Sequence, residues 1–183
     1  MDGSGARYVA APRAIVTGRV VLDAGPVIHL SWLHRLDLLP ALFEEVLIPP
    51  AVRDEVLAAP GGTLGLDAIR DALDRGGLAV REQPAEAPPA AGAPVLGAGE
   101  AEAIALAVAV TADLFLSDDA TARRTAAARG LAVTGTIGVL KAGRERGLVD
   151  AVLPHVLELR RLGLWMSESL IEAVRGEEQG SRR

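Results

Sequence analysis

The chain predicts an α/β fold built on a central parallel sheet, and three observations carry that expectation. Short apolar runs at Val20-Val21-Leu22, Val46-Leu47-Ile48 and Leu114-Phe115-Leu116 are bounded by polar or turn residues, as strands buried on both faces are. Helical patterns lie between them, so strand and helix alternate as in βαβ units. Two of the runs end in acids, Asp23 in one case and Ser117-Asp118-Asp119 in the other, and each leads into a helical segment. Ligand sites of open α/β sheets lie at the carboxyl ends of the strands, which is where these acids fall.

In chain order, residues 1–18 are rich in Gly, Ala and Arg and predict a flexible extension. The first strand ends at Asp23, and Pro26 suits the first turn of a helix continued by Val27, Ile28, Leu30 and Leu33. Residues 36–43 predict a short second helix and residues 46–48 a buried strand. Pro49-Pro50 opens a helix over 51–58 that carries Arg53, Asp54 and Glu55. After the break at Pro60-Gly61-Gly62, residues 66–75 form a helix that Gly76-Gly77 ends. Leu78-Ala79-Val80 is an edge strand, and the Pro- and Ala-rich residues 82–94 a surface loop. Residues 100–111 are a largely buried helix, with Ile104, Leu106, Val108 and Val110 set among alanines. A strand over 114–117 and a helix over 119–129 follow, then a last core strand over 131–133 and a helix over 137–146 stopped by Gly147. Two amphipathic helices, 151–162 and 167–174, complete a single domain over 19–175, and 176–183 read as a disordered tail.

Composition narrows the chemistry. The 183 residues are half hydrophobic but only 3% aromatic, so the core is Leu, Val, Ile and Ala. With no cysteine, disulfides, zinc–thiolate sites and thiol nucleophiles are excluded. Three scattered histidines, His29, His34 and His155, argue against a histidine-rich metal site. A metal site would be made of carboxylates, which suit Mg²⁺ or Mn²⁺. The net charge of −5 counts mildly against a nucleic-acid partner without fixing the local field. Nearly all basic residues are Arg, the better donor for bidentate phosphate contacts. Arg123 and Arg124 follow the acidic strand and are candidates to bind RNA, the alternative being a solvated helix face. No apolar run reaches membrane-spanning length and residues 1–19 lack a secretory signal, so the expectation is a soluble cytoplasmic protein.

Four places bring acids where they can converge: Asp23, Glu55, Glu102 (two residues after Glu100), and Asp118-Asp119. Each has a plainer reading. Ser117 or Asp118 can cap the helix that follows, Glu102 can answer a helix N-terminus for about 0.3–1 kcal/mol, and Glu55 can simply face water beside Arg53 and Asp54. Gathering them has a cost, because two carboxylates about 4 Å apart repel by about 4 kcal/mol at an effective dielectric of 20. A divalent cation reverses that sign, binds phosphate and activates water.

Ordered motifs then point to a family. They are Val21-Leu22-Asp23-Ala24-Gly25-Pro26-Val27-Ile28, Arg35-Leu36-Asp37-Leu38-Leu39, and residues 46–56 with Pro49-Pro50 and Glu55. Further on come Leu96-Gly97-Ala98-Gly99-Glu100-Ala101-Glu102-Ala103, Ser117-Asp118-Asp119 and Val133-Thr134-Gly135-Thr136-Ile137-Gly138. Over about residues 19–174 the chain resembles the PIN-domain ribonucleases, most closely an uncharacterised PIN-like family of bacteria and archaea. The resemblance implies a PIN-like α/β/α sandwich with a central parallel sheet. It also implies catalytic acids at Asp23, Glu55, Glu102 and Asp119, and metal ligands among Asp23, Glu102, Asp118 and Asp119. The implied activity is Mg²⁺- or Mn²⁺-dependent endoribonuclease. The implied setting is a toxin–antitoxin pair, with an antitoxin partner and a homodimer. Two departures stand out. Many PIN proteins carry a hydroxyl residue just after the first Asp or one further on, where this chain has Ala24 and Gly25, and residues 59–94 make a longer loop than the most compact toxins have.

Three rivals stand beside this reading. Gly97-Ala98-Gly99 lacks the third glycine of a dinucleotide loop. An aspartyl-nucleophile phosphatase wants a second Asp where Gly25 stands. The third is a PIN-like nucleic-acid-binding or regulatory module with little or no cleavage.

Overall fold

A computed structural model of the chain describes residues 18–58, 64–82 and 95–180. All but Gly18 of the extension expected over 1–18, and nearly all of the loop over 82–94, lie outside these residues. The described strands are β1 (Arg19–Leu22), β2 (Glu45–Ile48), β3 (Ala79–Val80), β4 (Leu114–Leu116) and β5 (Val133–Thr134). All pair in parallel, in the order β3-β2-β1-β4-β5. β1 is central, and Val20, Val21 and Leu22 are wholly buried, as are Leu47, Ile48, Phe115 and Leu116 on its neighbours. That burial on both faces is why these runs carry no polar alternation.

The helices are α1 (Ala24–Trp32), α2 (Leu38–Leu42), α3 (Pro50–Ala58), α4 (Leu66–Asp74) and α5 (Ala98–Ala109), then α6 (Ala120–Ala128), α7 (Thr136–Glu145), α8 (Leu153–Arg161) and α9 (Glu168–Gly180). They cover the sheet as the outer layers of an α/β/α sandwich. α3 packs on α5 and α1, while α7 packs on α1 and α2. The small residues of α5 allow close contact, with Ala103, Ala105 and Ala107 buried beside Ile104 and Leu106. Among the described residues no helix is long and apolar enough to cross a membrane.

The connections set the position of the site. From β1 the chain steps outward through β2 to β3, then returns to lay β4 against the other side of β1 and steps the opposite way to β5. The strand order therefore reverses between β1 and β4, and the crevice at their carboxyl ends is where such sheets bind ligands.

Two elements differ from expectation. The last strand is shifted to Val133–Thr134 and lies at the sheet edge, where half-buried Leu131 and Ala132 no longer mark it. The segment expected to be disordered from 176 onward is helical through Gly180, because α9 buries Ile171, Val174 and Glu178 on one face. Glu178 is a clasp: its Oε1 accepts from the backbone N–H of Val152, and from that of Leu153 at 3.1 Å, at the start of α8. Removing it leaves buried donors unpaired. Glu178→Ala is expected to cost about 1–2 kcal/mol, as other lost helix caps do. Urea unfolding measures this, and an unchanged midpoint would show that the clasp holds nothing.

Candidate active site

At the reversal point Leu22 is in register with Leu116, and the backbone N–H of Asp23 donates to the Leu116 carbonyl at 3.0 Å. Asp23, at the N-terminus of α1, is only 7% exposed. The residue after Leu116 is Ser117, fully buried, whose Oγ donates to Asp23 Oδ2 at 2.6 Å. The same Oγ accepts from the Asp119 N–H at 3.1 Å. The hydroxyl missing at Ala24 and Gly25 is thus supplied by the neighbouring strand. Burial lifts the Asp23 carboxyl above its ordinary value, and the charge of Asp118 adds to the rise. The Ser117 hydroxyl and the N–H groups of Gly25 and Ala24 oppose it without cancelling it.

Asp118 is tied to two other elements. Its Oδ1 accepts from the Thr136 N–H at 2.8 Å, and its Oδ2 from Thr136 Oγ1 at 2.6 Å. His29 on α1 places Nδ1 2.6 Å from the same Oδ2. Burial alone would lift this carboxyl, but His29 and Thr136 together hold it below its ordinary value. Ionised Asp118 can only accept, so His29 Nδ1 is the donor. Gly135 makes the approach possible: a Cβ there would lie 2.6 Å from Asp118 Oδ1 and 3.1 Å from the Ser117 carbonyl oxygen. Arg123 closes the turn by donating from its guanidinium to that carbonyl at 2.7 Å.

The remaining acids divide into two groups. Glu55, on α3, faces Gly99 of α5, where a Cβ would meet its Oε2 at 2.7 Å. Partial burial, then the charges of Asp23 and Glu100, push the Glu55 carboxyl up. The charge of Asp118 thus bears on Asp23, and the charges of Asp23 and Glu100 bear on Glu55. Glu102 also reaches α3, with Oε2 accepting from the Ala51 N–H in its first turn at 3.2 Å. Asp119 is the N-cap of α6, its Oδ1 accepting from Thr121 and Ala122 at 2.6 and 2.7 Å. The capping expected of Ser117 or Asp118 thus falls to Asp119. Arg124 is exposed on α6 and, among the described residues, bonds to Thr121 Oγ1 at 3.1 Å.

Asp23 and Asp119 follow the ends of neighbouring strands, as expected, and Asp118 is held by Thr136 and His29. Glu100 and His29 were not singled out in sequence. Glu100 has a local signal, since its Oε2 accepts from the Gly97 N–H at 2.8 Å as part of a helix-start motif. His29 has one only in hindsight, lying one helical turn after Gly25, whose Cβ position is 3.6 Å from Asp118.

Among the described residues, no three His, Asp or Glu side chains are gathered as tightly as a bound ion gathers ligands. The donor chemistry nonetheless fits a hard divalent cation. All the donors are carboxylate oxygens, and like charge contributes to the raised values of Asp23 and Glu55, so a bound cation would relieve the repulsion.

The comparisons agree with this architecture. None of the curated proteins or solved structures compared matches the chain. A family model described as a PIN domain, a nuclease fold, matches residues 19–178. That span takes in every described strand and helix up to the last residues of α9, and the chain therefore belongs to the PIN-domain family.

Proposed function

We propose that the protein is a metal-dependent endoribonuclease that hydrolyses RNA phosphodiesters at the crevice between β1 and β4. The observation that carries this reading is Asp23, buried at the reversal point and held above its ordinary value with Asp118 beside it. Asp23, Asp118, Glu55 and Glu100 would hold Mg²⁺ or Mn²⁺, with the second oxygens of Glu102 and Asp119 at the rim. The bound ion would polarise the phosphate and lower the pKa of a water. The chain itself orients the acids. Ser117 fixes Asp23, and Thr136 and His29 fix Asp118. Toxin activity restrained by an antitoxin, homodimer formation and a cytoplasmic setting belong to the same proposal.

The test joins binding to cleavage. Mn²⁺ that binds only the folded form raises its stability by about 2.7 kcal/mol at a hundredfold excess over the dissociation constant. Thermal melts with chelator and with Mn²⁺, beside cleavage of single-stranded and structured RNA, decide the matter. A melt indifferent to millimolar Mn²⁺ favours the binding module, a reading supported by the caps that occupy one oxygen each of Glu102 and Asp119.

The two arginines are expected to separate. Arg123 is tied to the Ser117 carbonyl, whereas Arg124 is exposed. Arg124→Ala is expected to weaken RNA binding and lower the slope of log affinity against log salt by about one. An unchanged slope returns Arg124 to solvent-facing surface.

A further inference from the structure

We propose that His29 is a positioning residue of this site, holding the Asp118 carboxylate in place beside Asp23. The inference rests on the nuclease reading above.

His29 lies on α1, one and a half turns past Asp23, and Asp118 follows β4. Their contact closes 89 residues of chain. Thr136, at the start of α7, grips the same carboxylate twice. One carboxylate therefore joins three elements, and among the described residues Asp118 Oδ2 has two donors, of which His29 comes from α1. Without His29, both oxygens are held from α7 alone among the described residues, and no bond ties the carboxylate to α1, the helix that Asp23 caps. The surroundings are shaped to this arrangement. Gly25 and Gly135 flank Asp118, and any side chain at Gly135 would displace the carboxylate. His29 is itself held, its ring edge-to-face with Trp32 at 5.3 Å between centroids. Its side chain is 12% exposed, so little water competes for the contact. Groups that orient ligating carboxylates change metal affinity or activity by about ten- to a hundredfold when replaced.

Two variants separate positioning from packing. In His29→Asn the amide nitrogen falls near the place of Nδ1 and can still donate to Asp118. In His29→Gln it falls near the place of Nε2 and cannot. Both lose the ring contact with Trp32, so a difference between them reports the Asp118 bond. His29→Gln is expected to weaken Mn²⁺ binding by about ten- to a hundredfold and to lower the rate of RNA cleavage in step. His29→Asn should recover most of both. In urea unfolding of the metal-free full chain, His29→Gln and Asp118→Asn should be non-additive, since the contact they share is already lost in either one. Equal Mn²⁺ affinity in the Asn and Gln variants, or additive effects on unfolding, overturns the proposal while a cleaving wild type keeps the nuclease reading. If the wild type neither binds Mn²⁺ nor cleaves RNA, both fall together.

Discussion

Asp23→Asn is expected to lower metal-dependent RNA cleavage by about a hundredfold to a thousandfold, the scale for losing one preorganised electrostatic group, while leaving the metal-free protein folded. The stability side follows from the direction of the shift. Burial first, and the charge of Asp118 with it, hold the Asp23 carboxyl above its ordinary value. Over the window from the ordinary value to the raised one, the folded state keeps a proton that the unfolded state has released. Stability therefore falls as pH rises through that window, and above it the cost of the buried charge is fully present. Asparagine carries no charge, and its amide oxygen still accepts from Ser117. At neutral pH without metal the variant should be as stable as the wild type or more so, with the advantage shrinking as the solution is acidified. Glu55, also raised, adds a slope of the same sign. Asp118, held low, has the opposite slope and loses its contribution as pH falls through its lowered value. Urea unfolding with chelator at neutral and mildly acid pH, beside the cleavage assay, reads both halves. A variant that loses stability at neutral pH without metal would make Asp23 a structural cap and nothing more.

The largest effect on stability is expected at Phe115. It is the middle residue of β4, wholly buried, and among the largest side chains in the core. Few aromatics are available to fill space in this chain, with only two Phe in all. Phe115→Ala removes a ring from a close-packed interior that collapses only in part, and costs about 3–5 kcal/mol. Phe115→Leu, which keeps most of the volume, costs less. The same change loosens the strand that carries Ser117 and Asp118, so the Ala variant should also bind Mn²⁺ more weakly at temperatures where it remains folded. Denaturant unfolding checks the first claim. A loss no larger than that of a surface substitution would place Phe115 outside the cooperative core.

The central strands were legible because burial on both faces leaves an unbroken apolar run, as at residues 20–22 and 114–116. The edge strands were less so. Ala79 and Val80 of β3 are exposed, and β5 owes its place to pairing with β4 more than to its own residues. At the site, strand ends pointed to Asp23 and to residues 117–119. Whether Glu100 or Glu102 faces the acids depends on the rotation of α5 against α3, which two glutamates two positions apart do not reveal. Asp118 and Asp119 posed the same difficulty, since an acid after a strand serves equally as a cap or as a ligand. The His29–Asp118 contact is set by tertiary packing across 89 residues, and no local pattern announces it.

The reversal of strand order also fixes when the site can exist. Asp23 and the Ser117 hydroxyl that holds it are separated by 94 residues, and the partner on the other side of β1, β2, lies much nearer in sequence. During synthesis β1 can pair with β2 long before β4 has been made, but its other edge stays open until β4 arrives. Asp118 comes with that same insertion, and its second anchor, Thr136, later still. Non-local pairings of this kind are slow steps because the chain must close a long loop first. A nascent chain is therefore without its assembled acidic crevice until Thr136 has been translated, so the proposed site is completed late, together with the sheet.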